Sequence, residues 1–158
     1  MKFDDHFYVL LFSPKFEGEK FVAYQDSVGV WTIGAGTTEV DGKPVYKCMT
    51  CTHEQAVAWA KKDSSKFEQK VNDAFADLIA ANKVNQNMFN ALGLFCYNMG
   101  SFAHAKTLVA TIKMNPVNFD HIEGIWLAYC KGHTATGELI KIPGLFNRRG
   151  FEFDLYKS

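Results

Sequence analysis

The pattern of apolar and polar residues changes near residue 52. Beyond that point apolar residues recur at steps of three and four positions, which is typical of one face of an amphipathic helix. The first such run is long and comprises Ala56, Ala60, Ser64, Phe67, Val71 and Phe75. Thr52 and Gln55 precede it and form a capping-box signature, which predicts that a long helix begins there.

Shorter helices are predicted in the rest of the chain. The same periodicity indicates helices at 88–99, ending at Gly100; at 105–112, stopped by Asn115-Pro116; at 119–129; and, after a loop from Gly132 to Gly144, at about 145–156.

The first 51 residues have a different pattern. From Val22 to Tyr46 β-branched and aromatic residues alternate with glycines, which is typical of short strands. Asp41-Gly42 is a hairpin-turn dipeptide and leads into Val45 and Tyr46. The pattern therefore predicts a mostly helical α+β protein with a small N-terminal antiparallel sheet, a long connecting helix and a helical C-terminal lobe.

Composition fits one globular domain. The 158 residues are 47% apolar and 22% charged, and 17 basic side chains balance 17 acidic ones. Because no net positive charge is available to bind phosphates, we expect no nucleic-acid partner. Four basic residues near the C-terminus form a candidate local patch, with a solvated helix face as the alternative: Lys141, Arg148, Arg149 and Lys157.

The N-terminus lacks the features of a secretory signal. Acidic Asp4 and Asp5 precede a short apolar run from Phe7 to Phe12, and Pro14 follows it. A signal peptide has a basic start and a longer apolar stretch, and a membrane span needs roughly 20 apolar residues. We therefore expect no signal peptide, no membrane span and synthesis in the cytoplasm.

The four cysteines invite a metal or disulfide interpretation. Cys48 and Cys51 form a C-x-x-C with His53 close by, but Cys96 and Cys130 stand alone. A structural zinc site normally has a second ligand pair at short spacing. We expect unpaired thiols, no metal and no cofactor, with a zinc site and a redox cysteine pair as the alternatives.

The candidate chemistry lies between residues 17 and 32. Glu17 is flanked by apolar residues, Asp26 precedes the turn Ser27–Gly29, and Thr32 offers a hydroxyl able to hold a water molecule. Glycoside hydrolysis needs one carboxyl group to protonate the leaving oxygen and a second to stabilise the sugar or activate water. Taken singly, Glu17 also fits a surface acid, Asp26 a turn former and Thr32 an ordinary strand residue.

Longer segments resemble a known family. Tyr24 to Gly36, with the sequence YQDSVGVWTIGAG, resembles the catalytic segment of the bacteriophage lysozymes, glycoside hydrolase family 24. Gln86 to Gly100 and Gly144 to Glu152 resemble two further family segments in the same order. The resemblance implies a two-lobe lysozyme-like fold and a single domain over 1–158. Its N-terminal lobe at about 12–51 carries the active site, and a connecting helix and C-terminal helical lobe follow at about 52–158. The resemblance also implies a short first helix that ends near Glu17, which Phe7 to Phe16 would supply.

The resemblance also implies roles for particular residues. Glu17 matches the catalytic acid, Asp26 the carboxylate that activates water, and Thr32 the hydroxyl that holds it. Asn98 matches a residue of the substrate cleft, and Arg148 matches an arginine that contacts the catalytic glutamate, here Glu17. The chain departs from the family pattern at Thr37, where a histidine commonly stands, and this affects the expected shape of the cleft and its substrate preference.

The implied activity is that of a bacteriolytic lysozyme (muramidase). Such an enzyme cleaves the β-1,4 bond between N-acetylmuramic acid and N-acetylglucosamine by acid/base hydrolysis, and we expect inversion at the anomeric carbon. The alternatives are a lytic transglycosylase, which would use Glu17 alone, and a non-catalytic glycan-binding structural module. The presence of the acid, the base and the hydroxyl favours the hydrolase.

The expected partner is bacterial peptidoglycan, bound by a monomer. The resemblance implies an endolysin-like protein that is made in the host cytoplasm without a signal peptide. It would act on the cell wall after release, by a holin-type or another delivery route.

Overall fold

A computed structural model describes residues 1–26, 29–133 and 136–158. In chain order the helices and strands are α1 (Asp5–Leu11), β1 (Lys20–Gln25), β2 (Trp31–Gly34), β3 (Glu39–Val40), β4 (Lys43–Pro44), α2 (His53–Ala74), α3 (Ala76–Ala80), α4 (Gln86–Met99), α5 (Lys106–Met114), α6 (Phe119–Leu127), β5 (Lys131–His133), β6 (Leu139–Lys141) and α7 (Pro143–Lys157). The predicted mostly helical α+β class is confirmed. Across the described ranges, none of the helices combines the length and apolar character that a membrane crossing requires.

The chain forms two compact units. One, here called the N-terminal unit, comprises Asp5–Lys66; the other, the C-terminal unit, comprises Met1–Asp4 together with Phe67–Ser158. The division between them lies within α2.

The N-terminal unit contains the small sheet predicted from the sequence. β1 and β2 pair antiparallel, with Tyr24 opposite Thr32. Residues 49–51 pair with the other edge of β1, where the Ala23 N–H donates to the Met49 carbonyl over 2.8 Å. Ala23 and Ile33 are buried with Val45 in a small apolar core. Burying one face of the hairpin in this way fixes its register, because a one-residue slip would expose that face.

The start of α2 agrees with the predicted capping box. The Thr52 N–H donates to Gln55 Oε1 over 2.9 Å, and the Gln55 N–H donates to Thr52 Oγ1 over 3.3 Å. These reciprocal bonds satisfy backbone donors that the first helical turn leaves without partners. The sequence signature therefore located this helix start correctly.

The first helix is shorter than predicted. It ends at Leu11 rather than continuing to Phe16, and turns follow. Pro14 explains the difference, since proline cannot donate a backbone hydrogen bond and disfavours helical geometry at the preceding Ser13.

The predicted turn at Asp41-Gly42 is confirmed. Both residues have positive φ, 50° and 78°, as a tight two-residue hairpin turn requires, and Val40 pairs with Lys43 across it. The returning strand is Lys43–Pro44, whereas Val45 is buried in the apolar core.

The C-terminal unit is built around α4. Every residue of α4 from Met88 to Cys96 is buried, and the helix packs against α7. The Phe95 ring lies 5.2 Å from the Trp126 ring of α6, which in turn lies 5.2 Å from the Tyr156 ring of α7. Edge-to-face and tilted contacts of this kind are the favoured packing of aromatic side chains.

Two short elements of the C-terminal unit were not predicted. One is α3, and the other is a hairpin formed by β5 and β6 within the region predicted as a loop. Gly132 makes the hairpin compatible with the following segment, since a Cβ there would meet Ile142 Cδ1 at 2.5 Å. The final helix begins at Pro143, a favoured residue for the first helical position, rather than at Leu145. Thr134 and Ala135 lie outside the described residues.

Candidate active site

Glu17 lies on a tight turn after α1. Its N–H donates to the carbonyl of Leu11, the last residue of that helix, over 3.1 Å, and the Gly18 N–H donates to the Ser13 carbonyl over 3.0 Å. Gly18 has φ 69°, a conformation that glycine adopts without strain. The turn therefore ties the half-buried Glu17 side chain to the end of the helix.

Asp26 follows directly after β1 and makes two hydrogen bonds with the backbone of Val30. Its N–H donates to the Val30 carbonyl over 3.0 Å, and its Oδ1 accepts the Val30 N–H over 2.8 Å. The carbonyl of Asp26 accepts the Gly29 N–H over 3.0 Å. This half-buried carboxylate is therefore rigidly placed at the hairpin end, although Ser27 and Val28 of the predicted turn lie outside the described residues.

Thr32 is buried, with 4% of its surface exposed. Its Oγ1 donates to the Val30 carbonyl over 3.1 Å. Because the hydroxyl proton is directed at the backbone, the oxygen can offer its lone pairs to a water molecule only as an acceptor.

Three side chains project from one face of the hairpin. Tyr24 lies directly opposite Thr32, and Asp26 lies two positions beyond Tyr24. Directly opposed residues of an antiparallel pair share a face, as do residues two apart on a strand. Ala23 and Ile33 have the other orientation and enter the core. Strand geometry therefore places Tyr24 and Thr32 side by side, and Asp26 follows one residue beyond the end of β1.

Glu17 belongs to the same group. Burial raises the pKa of Tyr24 above its usual value, and the negative charges of Glu17 and Asp26 raise it further. Both carboxyl groups therefore lie within electrostatic range of one phenol. The sequence pattern gave no role to Tyr24, although its place two residues before Asp26 on a strand was a usable signal.

The edge of β1 carries a second polar group. His53 Nδ1 lies 2.8 Å from Glu19 Oε1. Burial raises the pKa of the Cys51 thiol, and the negative charge of Glu19 raises it further. All four cysteines are free thiols. In the described ranges, no three histidine, cysteine or carboxylate residues group as metal ligands would.

Arg148 and Arg149 are buried in the C-terminal unit, and the predicted basic patch or solvated face is wrong for both. Arg148 Nε donates to Glu152 Oε1 over 3.0 Å, and its Nη2 donates to the Leu94 carbonyl over 3.3 Å. Arg149 Nη1 donates to Glu152 Oε2, which also accepts Trp126 Nε1–H over 3.1 Å. Burial raises the pKa of Glu152, against the opposing effect of the two guanidinium groups.

The other two basic residues of the predicted patch are also engaged. Lys157 pairs with Asp154 over 2.8 Å, and Lys141 Nζ lies 3.4 Å from the centre of the Phe146 ring. Both lysines are exposed, so of the four residues only Arg148 and Arg149 are withdrawn from the surface into a hydrogen-bonded cluster.

Asn98 is an exposed residue in the last turn of α4. Its Oδ1 accepts a hydrogen bond from Arg149 Nη2, so the amide orientation is set by α7. Arg149 was not predicted to act on Asn98, because the two residues are 51 positions apart in sequence. The predicted contact of Arg148 with Glu17 stays a prediction.

Thr37, the departure from the family pattern, has a structural partner in the N-terminal unit. It is buried, and its Oγ1 donates to Asp63 Oδ2 of α2 over 2.8 Å. Thr37 also closes a tight turn by pairing with Ile33. Gly34 in that turn has φ 65°, and a Cβ on it would lie 3.3 Å from Ala56 Cβ. This threonine therefore anchors the loop after β2 to the helix.

A carboxyl group on the turn after α1, together with a second carboxyl group and a hydroxyl on the adjoining hairpin, fits an acid/base glycoside hydrolase. Residues 14–152 match the sequence profile of the Phage lysozyme family. The endolysin of Salmonella phage P22 is 36% identical over 116 residues, which are 73% of this chain and 75% of that protein. The SAR-endolysin of Pseudomonas phage phiKMV is 33% identical over 137 residues, 86% of this chain and 78% of that protein.

A solved structure gives the same result. The endolysin from Escherichia coli O157:H7 phage FAHEc1 superposes with a TM-score of 0.81 and 33% identity, covering 99% of this chain and 93% of that one. The chain belongs to the phage lysozyme family. It has the lysozyme fold and is a peptidoglycan-degrading lysozyme, as the sequence resemblance implied, and the transglycosylase and binding-module alternatives are not favoured.

Proposed function

We propose that Glu17, Asp26 and Thr32 hydrolyse the β-1,4 bond between N-acetylmuramic acid and N-acetylglucosamine, with inversion at the anomeric carbon. The observation that supports this most directly is the joint action of Glu17 and Asp26 on the Tyr24 phenol. Acid/base hydrolysis likewise needs two carboxyl groups at one site.

In this mechanism Glu17 is the general acid. Its carboxyl proton passes to the glycosidic oxygen as the bond from that oxygen to the anomeric carbon breaks. The anchoring of the Glu17 amide to the end of α1 supports this role, because a proton donor must be held within hydrogen-bond reach of one particular oxygen.

Asp26 and Thr32 act on the attacking water. Asp26 accepts one proton of the water as the water oxygen bonds to the anomeric carbon, on the face opposite the leaving group. Thr32 Oγ1 accepts the other O–H of the water, which agrees with the commitment of its own proton to Val30. The attack from the opposite face inverts the anomeric configuration.

The supporting roles rest on the family motif. Arg148 acts as the cation that orients Glu17, and Asn98 contacts the glycan. The hydrogen bonds from Arg148 to Glu152 and to Leu94 support a fixed guanidinium, and the bond from Arg149 supports a fixed Asn98 amide. Fixed partners of this kind reduce the ordering cost when a substrate binds.

The setting follows from the same family. The protein is made in the host cytoplasm, works as a monomer within one lysozyme-like domain, and reaches the cell wall after release by a holin-type or another route. The relatives named as endolysins support the cell wall as the place of action.

The decisive test replaces the acid. Glu17→Gln should lower the rate of release of soluble fragments from purified peptidoglycan by about 100- to 10,000-fold, because an amide cannot donate the proton. Glu19→Gln is the matched control: Glu19 lies two residues away, is also half-buried, and has His53 as its partner. It should retain most of the wild-type rate. A folded Glu17→Gln protein with more than about a tenth of that rate would contradict the proposal.

Stereochemistry tests the roles of Asp26 and Thr32. The first product formed from the β-linked glycan should carry an α-configured reducing end, visible by time-resolved proton NMR before the anomers equilibrate. A reducing end that forms first as the β-anomer would indicate retention. An anhydro-sugar end, detected by mass spectrometry as a product without the added water, would indicate transglycosylation.

A further inference from the structure

His53 contacts both ends of the segment that carries Glu17. Its ring centre lies 5.9 Å from that of Phe12, the residue after α1, and its Nδ1 lies 2.8 Å from Oε1 of Glu19, the residue before β1. Because an ionised carboxylate can only accept hydrogen bonds, the Nδ1–H is the donor. One side chain therefore contacts the chain on either side of the proposed general acid.

The backbone of His53 has a fixed place. It is the first residue of α2 and directly follows Thr52, which forms the capping box with Gln55. The Cys51 N–H donates to the Phe21 carbonyl over 3.0 Å and so joins the start of α2 to β1. The imidazole therefore projects from an anchored helix start beside the sheet.

The segment between α1 and β1 is built from turns. The Glu17 N–H donates to the Leu11 carbonyl and the Gly18 N–H donates to the Ser13 carbonyl, so backbone bonds attach the segment to the end of α1. The two contacts with His53 attach it to α2 as well. A turn that is held from two helices samples fewer positions than a turn that is held from one.

We propose that His53 is a positioning residue that holds the turn of Glu17 in the geometry needed for proton transfer. It acts through Phe12 and Glu19, and the inference rests on the proposed role of Glu17 as the general acid. A general acid must lie within hydrogen-bond reach of one particular oxygen. A wider range of Glu17 positions therefore lowers the rate of the chemical step.

The exposure of the two polar side chains limits the size of the effect. The side chain of His53 is 58% exposed and that of Glu19 is 21% exposed. A hydrogen-bonded pair of this kind changes an equilibrium by up to about fivefold, and the ring contact adds a factor of about two. We therefore expect losses of about three- to tenfold when both contacts are removed.

Three substitutions at position 53 separate the two contacts. His53→Asn keeps an N–H donor close to the position of Nδ1 but removes the ring, His53→Phe keeps a ring against Phe12 but removes the donor, and His53→Ala removes both. His53→Ala should lower kcat by about three- to tenfold and leave KM unchanged, because it alters the placement of the acid and not the binding of the glycan. His53→Asn and His53→Phe should each retain a higher kcat than His53→Ala.

Amide hydrogen exchange measures the turn itself, independently of activity. The N–H groups of Glu17 and Gly18 are hydrogen-bonded within the turn, and both should exchange about three- to tenfold faster in His53→Ala than in the wild type. The Asp26 N–H donates to the Val30 carbonyl in the hairpin and is the internal reference. It should exchange at the wild-type rate.

Two further variants serve as controls. His6→Ala removes an exposed histidine of α1 in the same unit and should change neither kcat nor the exchange rates. Glu19→Gln keeps an oxygen that accepts the His53 N–H, so the contact survives in it. Glu19→Ala removes that acceptor and should lower kcat to the level of His53→Phe.

Other results overturn the inference. A wild-type kcat in His53→Ala would do so even if the turn exchanges faster, because the contacts would then hold the turn without serving catalysis. A higher KM with unchanged kcat would mean that the histidine binds the glycan. Equal losses in all three position-53 variants would show that neither contact is the cause. Any of these results together with an inactive Glu17→Gln would remove this inference alone, whereas an active Glu17→Gln would remove the proposed function itself.

Discussion

Solvent reaches the four cysteine side chains to different degrees. Cys48 is exposed, Cys51 is partly buried, and Cys96 and Cys130 are buried. Burial raises the pKa of Cys96 to about 11, against the small opposing effect of Lys70. Only the thiolate reacts with alkylating reagents, so the burial of Cys96 and its raised pKa both slow its alkylation.

Iodoacetamide should therefore label the native protein in a fixed order at pH 8. Cys48 should react first, and Cys96 should react only after unfolding, since raising its pKa from 9.0 to about 11 lowers its thiolate fraction about 100-fold even before access is considered. Peptide mass spectrometry over time gives the rates, with Cys48→Ser as the control that removes the fast phase. Labelling of Cys96 at the rate of Cys48 in folded protein would contradict this order.

At the scale of a single element, α7 buries charged groups. Arg148, Arg149 and Glu152 lie at spacings of three and four residues and form one stripe of the helix. Burying charges is costly unless each has a partner, and here both carboxylate oxygens of Glu152 accept hydrogen bonds. The stripe is therefore stable only as a complete set.

Removing one charged group of this stripe should leave the opposite charges buried without a partner. Glu152→Gln keeps the shape of the side chain but leaves two buried guanidinium groups without their carboxylate, and should lower the free energy of unfolding by about 3–5 kcal/mol. Urea denaturation followed by circular dichroism measures this. Asp154→Asn is the matched control on the same helix: its carboxylate is mostly exposed, and its ion pair with Lys157 should contribute little. Equal midpoints for the two variants would show that the buried cluster does not stabilise α7.

At the scale of the whole molecule, the two units have different cores. The apolar core around the hairpin of the N-terminal unit consists of Ala23, Ile33 and Val45 with a few partly buried neighbours. The C-terminal unit contains most of the largest fully buried side chains of the described chain, including Trp126, Phe95 and Tyr156. The proposed catalytic residues are therefore held mainly by backbone pairing and turns, and the C-terminal unit is held by aromatic packing.

Much of this organisation could be predicted from local sequence. The capping box at Thr52, the Asp41-Gly42 turn and the periodic helices depend on residues within a few positions of one another, so their physical cause is present in the sequence itself. The resemblance of Tyr24 to Gly36, Gln86 to Gly100 and Gly144 to Glu152 to the lysozyme family was visible in the same way. It led to Glu17, Asp26 and Thr32 as candidates before any geometry was known.

What could not be predicted depends on partners far apart in the chain. Whether Arg148 and Arg149 face solvent or a buried carboxylate depends on Trp126 and Asn98, which belong to other helices. The electrostatic environment of the Tyr24 phenol depends on Glu17, seven positions earlier and separated from it by a turn. Local patterns record propensity and amphipathicity, whereas burial, ion pairing and electrostatic environment arise only when distant segments fold against each other.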